Sequence, residues 1–285
     1  MGEIVLAAKC THVPTMLMSE QPGRIHGTRQ PAIDGHLEIA RRAKGLGADT
    51  AVICDTHWMI NAGYHINANH RFKGMFTSNE FPQFIQDLAY EYEGNAALGD
   101  LIAKKAMEKD VFTLSHHIDS LELEYGTLVP MRFMSREADF KVVSIAAWCN
   151  VHSHETSRKM GEAIREAVEE SDCKVLLVAS GSLSHKLWPN DDYEANNGTF
   201  TISSAFNQQV DLHVLEMWKR GDFATFIKML PEYSEYCSGE GAMHDTVMLL
   251  GALGWDDYTA PVEIVTPYFP SSGTGQVNVI FPVQP

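Results

Sequence analysis

The chain has 285 residues, 45% of them hydrophobic and 21% charged, enough to bury a substantial core. Lys+Arg 22 against Asp+Glu 37 gives a net charge of −15, which argues against a phosphate-backbone partner, so no nucleic acid is expected. No apolar run approaches a membrane span, MGEIVLAAKC turns polar too soon for a signal peptide, and Cys10, Cys54, Cys149, Cys173 and Cys237 form no CxxC pair. A soluble, cytoplasmic protein without a disulfide framework or membrane contact is expected.

In chain order, Ile4–Ala8 predicts a strand, followed at once by Lys9, Cys10, Thr11 and His12. A helix is predicted over Ala32–Lys44. Ala51–Cys54 predicts a second strand that runs out at Asp55, Thr56 and His57. Segment 59–94 is polar, rich in Asn and aromatic residues, and reads as a long loop; a helix over Asn95–Glu108 follows. Val142–Ala147 predicts a strand. In the helix predicted over Ser157–Glu170, Met160, Ala163, Ile164, Ala167 and Val168 recur at i, i+3, i+4, i+7 and i+8. Val175–Ala179 predicts a strand leading through SGSLS to His185, and 185–202 reads as a second long loop. Helices over Ser203–Lys219, Ala224–Leu230 and His244–Leu253, and strands over Val262–Thr266 and Val277–Phe281, complete the chain.

These strands are short, rich in Val and Ile, and continuous rather than alternating, as expected of strands covered on both faces. Their alternation with helices predicts an α/β fold. It forms a single domain over 1–285, with a central, mostly buried sheet flanked by helices and the active site at the carboxyl ends of the strands.

Three histidines, His12, His57 and His185, each follow such a strand and can converge on one cleft. Thirteen histidines are present, and a lone loop histidine is usually a solvated or hydrogen-bonded side chain. That reading is kept for His26, His36, His65, His70, His152, His154 and His213, while His116 and His117 lie in a polar stretch that could line a cleft. An acid completes the set. Glu240 lies between Gly239 and Gly241, ahead of an apolar helix, and the two glycines leave room for close backbone approach. Asp245 suits a helix N-terminal role better. Two imidazoles and one carboxylate with open positions suit non-haem Fe(II) chemistry with O2 or a catalytic Zn2+ holding a water, and ligand counting does not separate the two. SGSLSHKL is not a G-x-S-x-G elbow, and SSGTGQVN leads into a strand, so it reads as a tight turn rather than a phosphate loop.

Taken together, THVPTMLMSEQPGRIHGTRQPAIDGH, DTHWMINAGYHIN, LELEYGTLVPMRFM, ASGSLSHKL, EYCSGEGAMHDTVMLLGALGW and SSGTGQVN resemble the class III extradiol ring-cleavage dioxygenases, with the catalytic subunits of protocatechuate 4,5-dioxygenase among the broader relatives. The resemblance runs over the whole chain. It implies an Fe(II) site held by His12, His57 and Glu240, with Mn(II) able to take the same ligands, and His185 as acid–base residue. Where many relatives carry a second histidine, this chain reads Glu124-Tyr125-Gly126, which assigns Tyr125 a catalytic place without a second imidazole.

The implied reaction is O2-dependent opening of a catechol beside its diol, in aromatic catabolism. The expected substrate is 3,4-dihydroxyphenylacetate, cleaved at the 2,3 position to 5-carboxymethyl-2-hydroxymuconate semialdehyde. Protocatechuate or dihydroxyphenylpropionate is the alternative. A carboxylate on the substrate needs a cation, and Arg24, Arg29 and Lys186 are the candidates. A homo-oligomer is the family expectation. The competing readings are a His2Glu zinc hydrolase and, last, a partner-binding relative without activity.

Overall fold

The structure is a computed structural model that describes residues 1–149 and 151–283; the last two residues of the expected 1–285 domain lie outside the described residues. The elements are, in order, β1 (Glu3–Cys10), α1 (Thr15–Glu20), α2 (Gln30–Gly45), β2 (Thr50–Ile60), β3 (Tyr64–Asn67), β4 (Arg71–Phe76) and β5 (Leu88–Glu93). Then come α3 (Ala96–Glu108), β6 (Thr113–His116), α4 (Tyr125–Met134), β7 (Lys141–Cys149), α5 (His154–Glu170) and β8 (Lys174–Ser180). The chain ends with α6 (Asn190–Tyr193), α7 (Ala205–Lys219), α8 (Phe223–Tyr236), α9 (His244–Leu253), β9 (Glu263–Ser271) and β10 (Thr274–Phe281).

Eight strands form one sheet in the order β6-β3-β7-β2-β8-β1-β10-β9. The central four, β7, β2, β8 and β1, run parallel, and β10 and β9 are added antiparallel at one side. Parallel strands need cover on both faces, and the sequence supplies it. In β8, Val175, Leu177 and Ala179 enter the core layer that also holds side chains of α3, α5 and α9. Leu176 and Val178 enter the opposite layer with α2 and α4. The continuous apolar runs are the consequence. Local signals set the helix ends: Asn95 Oδ1 accepts from Leu98 N at 3.2 Å, so α3 starts one residue after its predicted first residue, with Asn95 as its cap.

The main departure is segment 59–94, which is not a loop. Strand β2 continues to Ile60, β3 joins the main sheet, and β4 and β5 pair as an antiparallel ribbon whose Phe72, Phe76 and Tyr90 are buried. Polar residues alternating with aromatic ones are what a half-buried ribbon requires. Helix α4 was also not anticipated. Every residue in it except Arg132 is buried and Pro130 lies inside it, so it presents no amphipathic stripe to read. Segment 185–202 is mostly irregular, with the single turn of α6 and a short 3-10 turn at Gly198–Phe200. Among the described residues, no helix is long and apolar enough to cross a membrane.

Candidate metal centre

The carboxyl ends of β1, β2 and β8 come together, and each delivers its histidine by a different local device. After β1 ends, Thr11 N donates to Asn278 Oδ1 at 3.0 Å and Thr11 Oγ1 bonds Gln276, which ties the turn to β10 and aims His12 inward. His12 Nδ1 lies 2.9 Å from Ser180 Oγ, whose own proton goes to the Gly126 carbonyl. Ser180 therefore accepts from His12 Nδ1–H and leaves the Nε2 lone pair free.

His57 does not follow the end of a strand, as the sequence suggested. It lies within β2, where the pairing register with β7 shifts between Asp55 and Met59. The buried Asp55 carboxylate builds this irregularity: its Oδ1 accepts from His57 N at 2.8 Å and Trp58 N at 3.3 Å, and its Oδ2 from Thr127 Oγ1 at 2.7 Å. A bulge of this kind re-aims a side chain beside a site. Gly126 permits it, because a Cβ there would lie 2.1 Å from Asp55 Oδ1.

Glu240 is held by a third segment. Its N–H donates to Leu183 O at 3.2 Å, its Oε2 accepts from Ser182 N, and its Oε1 accepts from Thr56 Oγ1 at 2.7 Å. Gly241, Ala242 and Met243, immediately after it, all have left-handed φ values of 53°, 52° and 64°. Two non-glycine residues in that region mark a strained turn at the site. Gly241 thus serves this turn, and a Cβ on Gly239 would press on Met243 at 2.6 Å; the glycines answer to backbone shape and packing rather than to a close-approaching ligand. Asp245 is engaged elsewhere: it pairs at 2.7 Å with Lys9 Nζ, both fully buried.

His12 Nε2 and His57 Nε2 lie 3.0 and 3.2 Å from the same oxygen, Glu240 Oε1. One ligand atom from each of the three residues lies within 4.8 Å of the others. Burial alone would raise the Glu240 carboxyl, but the facing imidazoles of His12, His185 and His57 hold it well below the usual range. Burial pushes His57 down, and hydrogen bonds and charge from Glu240 and Glu80 more than reverse this, to about 9. Without a metal, a proton on His57 neutralises the buried carboxylate. Two imidazoles with anchored Nδ1 atoms and Nε2 atoms facing one carboxylate oxygen form a donor set that fits a divalent cation in that proton's place.

The same pocket is lined by Tyr125, His185, Phe81, Phe84, Ser182 and Thr274 among others. His185 is partly buried, with its backbone N–H bonded to Ser238 O at 2.9 Å and its Nε2 3.9 Å from Glu240 Oε2. Burial lowers the His185 imidazole below its ordinary value. The Tyr125 ring lies 3.7 Å from the His57 ring, and its hydroxyl donates to Glu80 Oε2 at 3.0 Å. Ser272 and Gly273, both with positive φ, form the two-residue hairpin turn between β9 and β10, so SSGTGQVN is a tight turn as the sequence suggested.

Among the described residues, no arginine or lysine lines this pocket. Arg24 donates to Asn197 Oδ1 at 2.9 Å and borders a wider cleft of about 830 Å³. Arg29 is buried behind the pocket wall, its Nε 3.1 Å from Thr15 Oγ1 and its Nη2 3.4 Å from Ser271 Oγ. Lys186 is exposed. His116 stacks on His65 and His117 pairs with Asp100, both outside the pocket. Sequence reading missed Glu80, Asp55, Ser180 and Thr56; short polar side chains carry no signature until the fold shows what they face.

Residues 6–282 match the family described as the catalytic LigB subunit of aromatic ring-opening dioxygenase. The chain is 52% identical to the 3,4-dihydroxyphenylacetate 2,3-dioxygenase of Escherichia coli, covering 94% of this chain and 97% of that one. It is 22% identical to the 2-aminophenol 1,6-dioxygenase beta subunit of a Pseudomonas species, over 84% of this chain and 82% of that one. A crystal structure of an uncharacterized protein from Escherichia coli K12 shares the fold, with a TM-score of 0.53 at 16% identity over 97% and 99% of the two chains. Extradiol dioxygenases are metal-dependent, and this pocket contains a possible metal site. The chain belongs to the family of catalytic LigB subunits of aromatic ring-opening dioxygenases and is an extradiol ring-cleaving enzyme.

Proposed function

We propose that the enzyme cleaves 3,4-dihydroxyphenylacetate at its 2,3 bond, using Fe(II) held by His12, His57 and Glu240, within a single catalytic domain. The observation that carries this reading is the convergence of those three side chains beside His185 in a chain 52% identical to an enzyme of that name. Held by these residues, Fe(II) would supply Lewis acidity and a route for electrons between catechol and O2, and Mn(II) would accept the same ligands.

The chain's own residues do the rest. His185, kept neutral by burial, takes a proton from a catechol hydroxyl and returns it as the ring opens. Tyr125, whose phenol burial raises far above its ordinary value, stays protonated and packs its ring against His57. Phe81 and Phe84 supply apolar wall for the aromatic ring. The substrate carboxylate turns to the hydroxyl side, where Thr15 and Ser271 line the pocket and Arg29 stands one hydrogen bond behind them. Burial lowers Arg29 to about 10, which leaves it charged at neutral pH. Arg24 and Lys186 take no part in this placement.

Oxygen consumption on adding 3,4-dihydroxyphenylacetate to anaerobically Fe(II)-loaded protein tests the reading. One O2 per catechol with a yellow ring-opened product is expected, absent in His57→Ala. Bound metal with no uptake on this catechol or its relatives would refute it.

A further inference from the structure

We infer that Glu80 is a positioning residue for His57 and through it sets the affinity of the metal centre, an inference that rests on His12, His57 and Glu240 being the ligands. The two histidines are anchored in different ways. His12 Nδ1 meets Ser180, a neutral, fully buried hydroxyl at the end of β8. His57 Nδ1 meets Glu80 Oε1 at 3.2 Å, a half-exposed carboxylate on the segment joining β4 to β5. The other Glu80 oxygen accepts the Tyr125 hydroxyl at 3.0 Å, and the Tyr125 ring lies 3.7 Å from the His57 ring. Both carboxylate oxygens are thus occupied, and the imidazole is held edge-on by Glu80 and face-on by Tyr125.

A carboxylate on Nδ1–H fixes the tautomer with Nε2 unprotonated and makes that nitrogen a stronger donor. Ser180 fixes the His12 tautomer without a charge, so Glu80 is the anionic anchor of the pair. Glu80 also ties the pocket wall to the metal centre. Its segment carries Phe81 and Phe84, which line the pocket and stack at 5.7 Å, and it is closed by Ser78 N to Ile85 O at 3.0 Å and Phe81 N to Ser78 Oγ at 3.1 Å.

The test is cobalt(II) affinity by chelator competition for wild type, Glu80→Ala, Glu80→Gln, Tyr125→Phe and Phe81→Ala, with urea midpoints measured alongside. Glu80→Ala is expected to bind about 10- to 100-fold more weakly, the range for losing a carboxylate behind a ligating histidine. Glu80→Gln keeps an acceptor for Nδ1–H and falls between wild type and Glu80→Ala; Tyr125→Phe loses less than Glu80→Ala. Phe81→Ala disturbs the same segment while keeping the Glu80 carboxylate and should bind as wild type does. Glu80→Ala within twofold of wild type would overturn the inference. So would Phe81→Ala losing as much as Glu80→Ala, because segment packing would then set the affinity. Wild type binding no cobalt(II) would overturn the metal-centre reading itself, and this inference with it.

Discussion

His185 and the three converging side chains separate two ways of losing activity. The 3.9 Å between His185 Nε2 and Glu240 Oε2, and the engagement of the other Glu240 oxygen by His12 and His57, put His185 beside the proposed ligands rather than among them. His185→Ala is expected to lower kcat about 10²- to 10⁴-fold with metal content unchanged, while His57→Ala loses metal; metal analysis beside steady-state kinetics checks both. Arg29 makes a different kind of prediction because its proposed role runs through Thr15 and Ser271, to which it is hydrogen-bonded. Arg29→Met should raise KM for a carboxylated catechol about 10- to 100-fold, the loss expected for a hydrogen bond to a charged group, and leave KM for 4-methylcatechol nearly unchanged. Equal effects on both catechols would mean that Arg29 only holds the wall in place. At this scale the sequence was half legible. His12, His57 and His185 stood out because each follows an apolar run. Which cation stands near the pocket did not, since the distance from Arg29 to Ser271 spans 242 residues of chain.

Strand β2 is the element that the site depends on most. Its apolar first half, Ala51–Cys54, is buried between both core layers, and its second half is bent by the Asp55 carboxylate so that His57 leaves the ladder. Gly126, at the start of α4, leaves room for that carboxylate. Gly126→Ala would place a methyl 2.1 Å from Asp55 Oδ1, so the carboxylate and the bend must move. A loss of about 1–3 kcal/mol in stability is expected, the cost of overpacking a filled site, with weaker cobalt(II) binding. Urea titration and chelator competition on one preparation would check both; lost stability with unchanged metal affinity would disconnect Gly126 from the placement of His57. The sequence predicted a strand stopping at Cys54 because Asp55 and Thr56 are polar. Their buried partners on α4 and beyond β8 make the continuation stable, and no local pattern reports such partners.

At the scale of the whole molecule, two buried histidines outside the site are expected to contribute to the loss of stability in acid. Burial disfavours the charged imidazole and lowers His36 to about 4 and His244 to about 3. An unfolded histidine titrates near 6.5. Below about pH 6.5 the unfolded chain therefore binds protons that the folded one refuses, and stability is lost as the pH falls through 4. With both groups engaged the slope reaches about 2.7 kcal/mol per pH unit. The urea midpoint should fall clearly from pH 7 to pH 5, and less steeply in His36→Gln; equal midpoints at the two pH values would show that neither imidazole is kept neutral by the fold. What the sequence by itself determined is the layered α/β class, since continuous apolar strands between amphipathic helices admit few other arrangements. It also pointed to His12, His57 and His185, because each follows an apolar run, and all three line one pocket. The tertiary structure alone decided what each imidazole faces. Ser180 behind His12, Glu80 behind His57, Lys9 paired with Asp245, and Thr56 and Ser182 on the Glu240 carboxylate all depend on contacts between segments apart in the chain. Periodicity reports which face of an element is buried, and only the packed fold reports which polar atoms then meet.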